Sequence, residues 1–490
     1  MATAPSTLSG TDAPAPATPA ARTGRSKAPR TDPRLETIAA KVERGERLTL
    51  GDGDVLFSTP DIYTVLELAN LVRRRLHGNA AYYNINRHLN YSNVCALSCK
   101  FCDFYAKKDD AKAYTRDMEY VREEVRKAVE AGATEMHSVG GLHPYLPFSY
   151  YTDLVSTIRD EARRLGSDLH VKAFTAVEIV HLARIAKVFK QDDRVSGIRF
   201  VLEKLKEAGL GSLPGGGAEV FDDRVHDEAY KGKIRSDVWL DVHRTAHQLG
   251  LNTNATILYG HIETRHDRLV HMDMLRRAQD EALIRLGYEP DQRQQSSKAA
   301  KQQTGELSGE PGHLGYRGDA GDVPAITLTR AGVPLPESVA FSPSHRLTPS
   351  PSQASGYYQT IIPLPFFPDG CELEHLPGPS GLENYRTLAV ARLMLDNFPH
   401  IKAFWIMQTL PMAQVMLQSG ADDMDGTVVW YDITKLSHGA GQGAGEAVTH
   451  QEVNVWTLQK AIREAGFEPI ERDTVYRRVA REGKAWSVQV

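Results

Sequence analysis

At 490 residues the chain is long enough for one large α/β barrel with additions, or for two or three ordinary domains. A formal net charge of -4 and a hydrophobic content of 41% exclude a broad basic field for nucleic acid or anionic lipid, which leaves a small-molecule partner as the expectation. No stretch approaches the roughly eighteen apolar residues of a membrane span, the N-terminus lacks the apolar core of a secretory signal, and four cysteines are too few for a disulfide framework, so the chain reads as cytoplasmic.

Residues 1–31, rich in Ala, Pro, Thr and Ser with no apolar period, are expected to be a disordered tail; their shortage of acidic residues also fits an organelle transit peptide. Residues 32–80 are expected to be an N-terminal helical segment. It is clearest from Asp61 to Leu76, where apolar residues recur at helical spacing between an Asp at the start and Arg at the end. Short apolar or β-branched runs then alternate with longer helical patterns. The spacing predicts strands near 81–90, 133–138, 168–174, 211–214, 252–258, 359–365, 400–407 and 426–430. Helices are expected at 118–131, 150–164, 200–208, 237–249, 265–285, 384–396 and 411–418. Eight such units predict an α/β fold, a (β/α)8 TIM-type barrel whose first part covers 81–287 and whose completion covers 357–435. Between them, 288–356 turns to Gln, Ser, Lys, Gly and Pro without a period and is expected to be a disordered surface insertion. The C-terminal segment 436–490 should hold a flexible stretch at 437–447, a closing helix at 451–466 and an extended tail at 468–480.

The densest chemistry lies in NYSNVCALSCKFCDFYAKK, beginning at Asn90, where Cys95, Cys99 and Cys102 have the spacing C-x3-C-x2-C with Phe101 before the last. A structural zinc would want a fourth Cys or His close by, and none follows in the loop. Three thiolates on a four-iron, four-sulfur cubane instead leave one iron open to an outside molecule. That corner can chelate the amino and carboxylate groups of S-adenosylmethionine, placing its sulfonium for one-electron cleavage to methionine and a 5'-deoxyadenosyl radical. The remaining cysteine, Cys371 in FPDGCELEH, is a fourth ligand or inert packing.

Other polar groups gather at predicted strand ends. In the first strand Asn84, Asn86, His88 and Asn90 share one face and should point into the barrel, as substrate contacts or as an internal hydrogen-bonded layer. SVGGLHP exposes backbone at Gly140 and Gly141, with His143 nearby. Thr175 and Glu178 sit where the third strand ends; they suit either ribose contacts or a helix capping box. LPGGGAEVF offers Gly215, Gly216 and Gly217 followed by Glu219, an arch suited to close approach of adenine or a carboxylate. The fifth strand ends in Asn254, Thr256, Tyr259 and His261. Asp422, Asp423 and Asp425 are acid/base or metal groups, or residues that cap and turn the chain into the eighth strand.

The cysteine spacing with its aromatic residue, following a first barrel strand, resembles the radical S-adenosylmethionine superfamily. With NRHLNYSNVCALSCKFCDFY, GGLHP, HVKAFTAVEI, SLPGGGAEVF, TNATILYGHIET, HLPGPSG and GADDMDGTVV in order, the chain is similar to the aminodeoxyfutalosine synthase family of menaquinone biosynthesis over about 35–287 and 357–480. The tail and the 288–356 insertion depart from it. The resemblance implies a transferase with a [4Fe-4S] cluster on Cys95, Cys99 and Cys102 and S-adenosylmethionine as co-substrate. It further implies Phe101, Gly140, Gly141, Thr175, Glu178, Gly216 and Glu219 around the cofactor, with Gly140 and Gly141 meeting its methionine amino group. His88, Tyr259 and His261 would act on the substrate, and with Arg87 they are candidates for its carboxylates. The implied substrate is 3-[(1-carboxyvinyl)oxy]benzoate, and the implied electron donor is a flavodoxin or ferredoxin. Rivals with the same cluster loop are a cyclic dehypoxanthine futalosine synthase or a deazaflavin-forming relative; an iron-sulfur electron carrier is the rival of another class.

Overall fold

The computed structural model describes residues 32–290, 355–427 and 453–489, and in addition the backbone at 328–330 and 333–334. The expected 1–31 tail, most of the 288–356 insertion, the stretch 437–447 and positions 428–430 lie outside the described residues. Three helices open the chain, Arg34–Arg44, Leu50–Ser58 and Ile62–His77. The second starts in a capping box between Thr49 and Asp52. The segment is fastened to the barrel by Arg47, whose buried guanidinium meets Asp280 at 2.7 Å and Asp396 at 2.8 Å.

Parallel strands follow in ring order. The first runs Ala80–Asn84 and resumes as Asn86–Leu89; then come Glu135–Ser138, His170–Ala173, Ser212–Leu213, Asn252–Tyr259, Tyr358–Pro365 and His400–Ile401. The eighth strand, Asp423–Gly426, closes the ring: it pairs with Tyr82 and Asn84 on one side, and the Ala403 N–H donates to the Asp423 carbonyl at 2.8 Å on the other. The α/β barrel read from sequence is therefore present. Crossover helices start on side-chain caps, for example Asp117 before Met118–Glu130, Thr175 before Ala176–Ile185 and Thr264 before Arg265–Arg285.

Several expected boundaries shift. The seventh strand ends at Ile401, not 407, because Trp405–Gln408 turns helical with the Trp405 indole N–H donating to the Gly426 carbonyl at 2.8 Å. The eighth strand begins three residues early, so Asp423 and Asp425 lie inside it and Asp422 directly precedes it, instead of turning the chain toward it. Asp422 and Asp423 are fully buried and Asp425 nearly so. Asp422 takes Arg392 and His400, Asp423 takes Arg472, and Asp425 takes Lys402. They are partners of buried cations, a role that no local turn signal announces. Within the aperiodic region, Tyr288–Pro290, Leu328–Arg330 and Val333–Pro334 form a small antiparallel sheet. From Ser355 the chain is already packed, with the Gly356 N–H on the His247 carbonyl at 2.7 Å.

The C-terminal segment closes the bottom of the ring. After the helix Val455–Glu464, strand Glu468–Glu471 pairs in parallel with Ala80–Tyr83, and a hairpin of Val479–Glu482 and Ala485–Val488 ends the described chain. Between them, Tyr476 stacks on His400 at 3.6 Å and the Arg472 Nε donates to Asp423 at 2.8 Å, both buried beneath the strands. No helix of the described residues is long and apolar enough to cross a membrane. Removing the Arg472 charge leaves Asp423 uncompensated in a dry interior, so Arg472→Met should cost ~3–5 kcal/mol of unfolding free energy, read by urea denaturation.

Candidate active site

The loop carrying the three cysteines leaves the top of the first strand and is shaped by its own backbone. Cys95 N–H donates to the Ala106 carbonyl at 3.0 Å, and Ala106 N–H returns to Asn93 at 2.8 Å. The loop docks onto the turn after the second strand, where the Gly141 N–H meets the Ser92 carbonyl at 2.8 Å and the Ala96 N–H meets that of Leu142 at 2.9 Å. This approach requires glycine: a Cβ on Gly141 would lie 2.4 Å from the Val94 carbonyl oxygen, and one on Gly140 2.7 Å from the Tyr91 ring. The paired glycines of the sequence thus serve loop packing, and both N–H groups are already bonded inside the protein.

One carboxylate ties three strand ends together. Glu178, 2% exposed, accepts from the Tyr91 hydroxyl at 2.8 Å and the Gly140 N–H at 3.1 Å on one oxygen. Its other oxygen takes the Thr175 N–H and hydroxyl at 2.7 and 2.8 Å. The capping box at Thr175 and Glu178 is therefore formed, and it reaches beyond its helix to the root of the cysteine loop. Burial pushes the Glu178 carboxyl up to about 7 against the pull of these hydrogen bonds.

Cys99 is buried and Cys95 and Cys102 half-buried. The backbone N–H groups of Leu97 and Leu142 each point at the Cys95 sulfur at 3.4 Å. Burial pushes the Cys99 thiol up to about 11, so metal binding must displace its proton. Phe101 stands edge-on to Tyr230 at 5.9 Å, under the Lys233 ammonium. Lys233 pairs with Glu219, which the sequence singled out, and Glu219 has a left-handed backbone at φ 47°. Gly216 lies beside Thr175, its Cβ position 3.0 Å from the Thr175 methyl. Cys371 is buried near Asp103, with its thiol on the Pro368 carbonyl at 3.1 Å.

Among the described residues, the one group of three Cys, His or acidic ligands within 4.8 Å of one another is His77, His400 and Asp422, far down the barrel. Arg392 already occupies that carboxylate, so the trio is an ion-paired core element. Cys95, Cys99 and Cys102 share one loop as three free thiols, a donor set of the kind that holds an iron–sulfur cluster.

Inside the barrel His88 stacks on His137 at 4.5 Å, in register with Lys172, which pairs with Glu135 at 2.8 Å; Lys402 pairs with Asp425. Burial holds His88 down at about 4 and lowers His261 as well, so both are neutral near pH 7 and neither brings a positive charge to a substrate carboxylate. Arg87 is corrected outright: as an odd position of the strand it points outward and pairs with Glu124 of the first crossover helix. Tyr259 is fully buried, donating to Asn384 at 2.9 Å and accepting from Gln408 at 3.0 Å. His261 touches the Leu258 carbonyl at 3.2 Å. The amides of Asn84 and Asn90, 0% and 4% exposed, find no hydrogen-bond partner among the described residues. The sequence reading missed Lys172, Lys402 and Lys233; a lysine inside an apolar strand run, as in HVKAF, was the available signal for the first.

Comparison with known proteins bears on this arrangement. Residues 89–275 match the model of the radical SAM superfamily, and 354–483 match that of the CofH/MqnC C-terminal region. The chain is 37% identical over 452 residues to an aminodeoxyfutalosine synthase of Thermus thermophilus, covering 91% of this chain and 96% of that protein. It is 34% identical to one of Streptomyces coelicolor, over 90% and 92%. A 5-amino-6-(D-ribitylamino)uracil--L-tyrosine 4-hydroxyphenyl transferase of Methanopyrus kandleri is 29% identical over 90% of this chain and 94% of its own. Among solved structures, a methylornithine synthase superposes with a TM-score of 0.55 at 16% identity, over 88% of this chain and 97% of that one, a likeness of fold.

Glu178→Gln keeps the size of the junction but turns an acceptor into a donor, opposing either the Thr175 pair or Tyr91 and Gly140. It should cost ~1–3 kcal/mol. The native carboxyl keeps a proton that the unfolded chain releases near 4.5, so its contribution falls as pH rises from about 4.5 through about 7. Urea unfolding across that range should show this fall in the wild type and its loss in the variant.

Proposed function

The chain belongs to the radical S-adenosylmethionine superfamily, and within it we propose that this enzyme is an aminodeoxyfutalosine synthase of menaquinone biosynthesis. It would add the 5'-deoxyadenosyl group to the enolpyruvyl double bond of 3-[(1-carboxyvinyl)oxy]benzoate, with aryl migration and loss of a carboxylate giving 6-amino-6-deoxyfutalosine. The reading is carried by the likeness to two such synthases across nine-tenths of the chain, barrel and C-terminal region together. It exceeds the likeness to the hydroxyphenyl transferase.

In this reading Cys95, Cys99 and Cys102 hold the [4Fe-4S] cluster, and Phe101, Gly140, Gly141, Thr175, Glu178, Gly216 and Glu219 form the bed of S-adenosylmethionine. When bound, cluster and S-adenosylmethionine together supply the 5'-deoxyadenosyl radical. The chain's own work is placement. The Glu178 junction holds the cysteine loop against the second and third strand ends, so that the reacting carbon meets the alkene in a fixed geometry. Asn90, at the mouth end of the first strand with its amide unpartnered by the described residues, offers hydrogen bonds to a substrate carboxylate, and His88 adds a neutral ring. Tyr259 and His261 are buried at and just after the end of the fifth strand. The Lys172 and Lys402 charges are cancelled by Glu135 and Asp425, which leaves the interior polar without a strong net field. A flavodoxin or ferredoxin would supply the electron.

Anaerobic incubation of the reconstituted protein with dithionite, S-adenosylmethionine and the enolpyruvyl ether, followed by mass analysis, should yield a product that retains the adenosyl group. Free 5'-deoxyadenosine formed in step with product would instead support a hydrogen-abstracting rival, the cyclase or the deazaflavin-forming relative. Cys99→Ala should lose both its cluster absorbance and all detectable product.

A further inference from the structure

Lys233 is a charged group from outside the cysteine loop that packs against it and that the reading above leaves without a task. It follows the short helix Asp223–Ala229, whose last carbonyl receives the Lys100 N–H of the cysteine loop at 3.0 Å. One residue before it, a Cβ on Gly232 would lie 3.2 Å from the Leu97 side chain, so this segment and the loop are in direct contact. The ammonium is largely buried. It pairs with Glu219 and lies 4.9 Å from the centre of the Phe101 ring, between Cys99 and Cys102 in sequence. Glu219 is itself held in a left-handed backbone conformation, which a residue with a side chain adopts only under constraint from its surroundings. A buried ion pair of this kind often contributes little to stability over an apolar pair, so its retention beside the loop asks for another use.

We propose that Lys233 is a positioning residue that sets the reduction potential of the cluster, with Glu219 as the counter-charge that moderates it. The inference rests on the three cysteines holding the cluster and is independent of which substrate is used. Uptake of one electron from an external low-potential donor adds one negative charge to a group already surrounded by three thiolates. A fixed cation beside Cys99 and Cys102 stabilises the reduced form more than the oxidised one, because in a poorly hydrated site the attraction is weakly screened. Glu219 opposes this. The two residues together therefore act as a pair of opposite adjustments on one equilibrium, and their removal must shift it in opposite directions.

The test is a redox titration of the reconstituted full-length protein without S-adenosylmethionine, followed by electron paramagnetic resonance of the reduced cluster, with iron content measured in parallel. Lys233→Met should lower the midpoint potential by at least ~59 mV, a tenfold change in the one-electron equilibrium. Glu219→Gln should raise it, and Lys233→Arg should stay near the wild type. If Lys233→Met fails to hold iron, the Glu219→Gln shift decides. A wild-type potential in Lys233→Met or in Glu219→Gln, or loss of iron from both, overturns the proposal. Failure of the wild type itself to assemble a cluster would instead overturn the cysteine assignment on which it rests.

Discussion

The candidate site depends on a single buried carboxylate. Glu178 accepts four hydrogen bonds from three separate pieces of chain: Tyr91 at the root of the cysteine loop, Gly140 in the turn after the second strand, and Thr175 at the end of the third. A loop of more than two dozen residues above a barrel has no periodic structure to hold it, and its placement must come from such cross-links. The glycines complete the arrangement by letting loop and turn backbones approach within hydrogen-bond range. Rigidity at the mouth is thus built from one side chain and two missing ones.

Below the mouth, charge is confined in layers. Arg472 with Asp423 lies at the floor, and Lys172 with Glu135 and Lys402 with Asp425 lie above it. The stacked His88 and His137 rings are in register with Lys172 and are kept neutral by burial. Each cation takes its anion from a distant segment of the chain, so these pairs also tie the ring together. This leaves the Asn84 and Asn90 amides as the polar groups of the first strand that the described residues do not satisfy.

The C-terminal region does more than close the bottom. Its strand pairs with the first half of the first barrel strand, while the second half pairs with the strand at Glu135–Ser138. The same first strand therefore carries the plug at one end and the cysteine loop at the other. Tyr476 and Arg472 reach from the plug to His400 and to the eighth strand. Barrel and C-terminal region are one packed unit, in keeping with relatives that match the chain through both.

By itself the sequence determined the barrel, the order of its units and the cysteine loop, because strand and helix periods and the C-x3-C-x2-C spacing are local patterns that survive in a linear reading. It also placed Asn84, Asn86 and His88 on the inner face, since alternation along a strand is a local rule. Tertiary structure alone decided the rest. Arg87 left the site because its strand position aims it at Glu124, 37 residues away. The acidic run at 422–425 became a set of ion-pair partners because strand pairing carried it into the ring. Tyr91 and Glu178, 87 residues apart, met across the end of the second strand because the ring brought the first three strand ends together. Lys233 stood against Phe101 for the same reason. Which distant groups become neighbours is set by register and closure of the whole ring, and no window of local sequence contains that information.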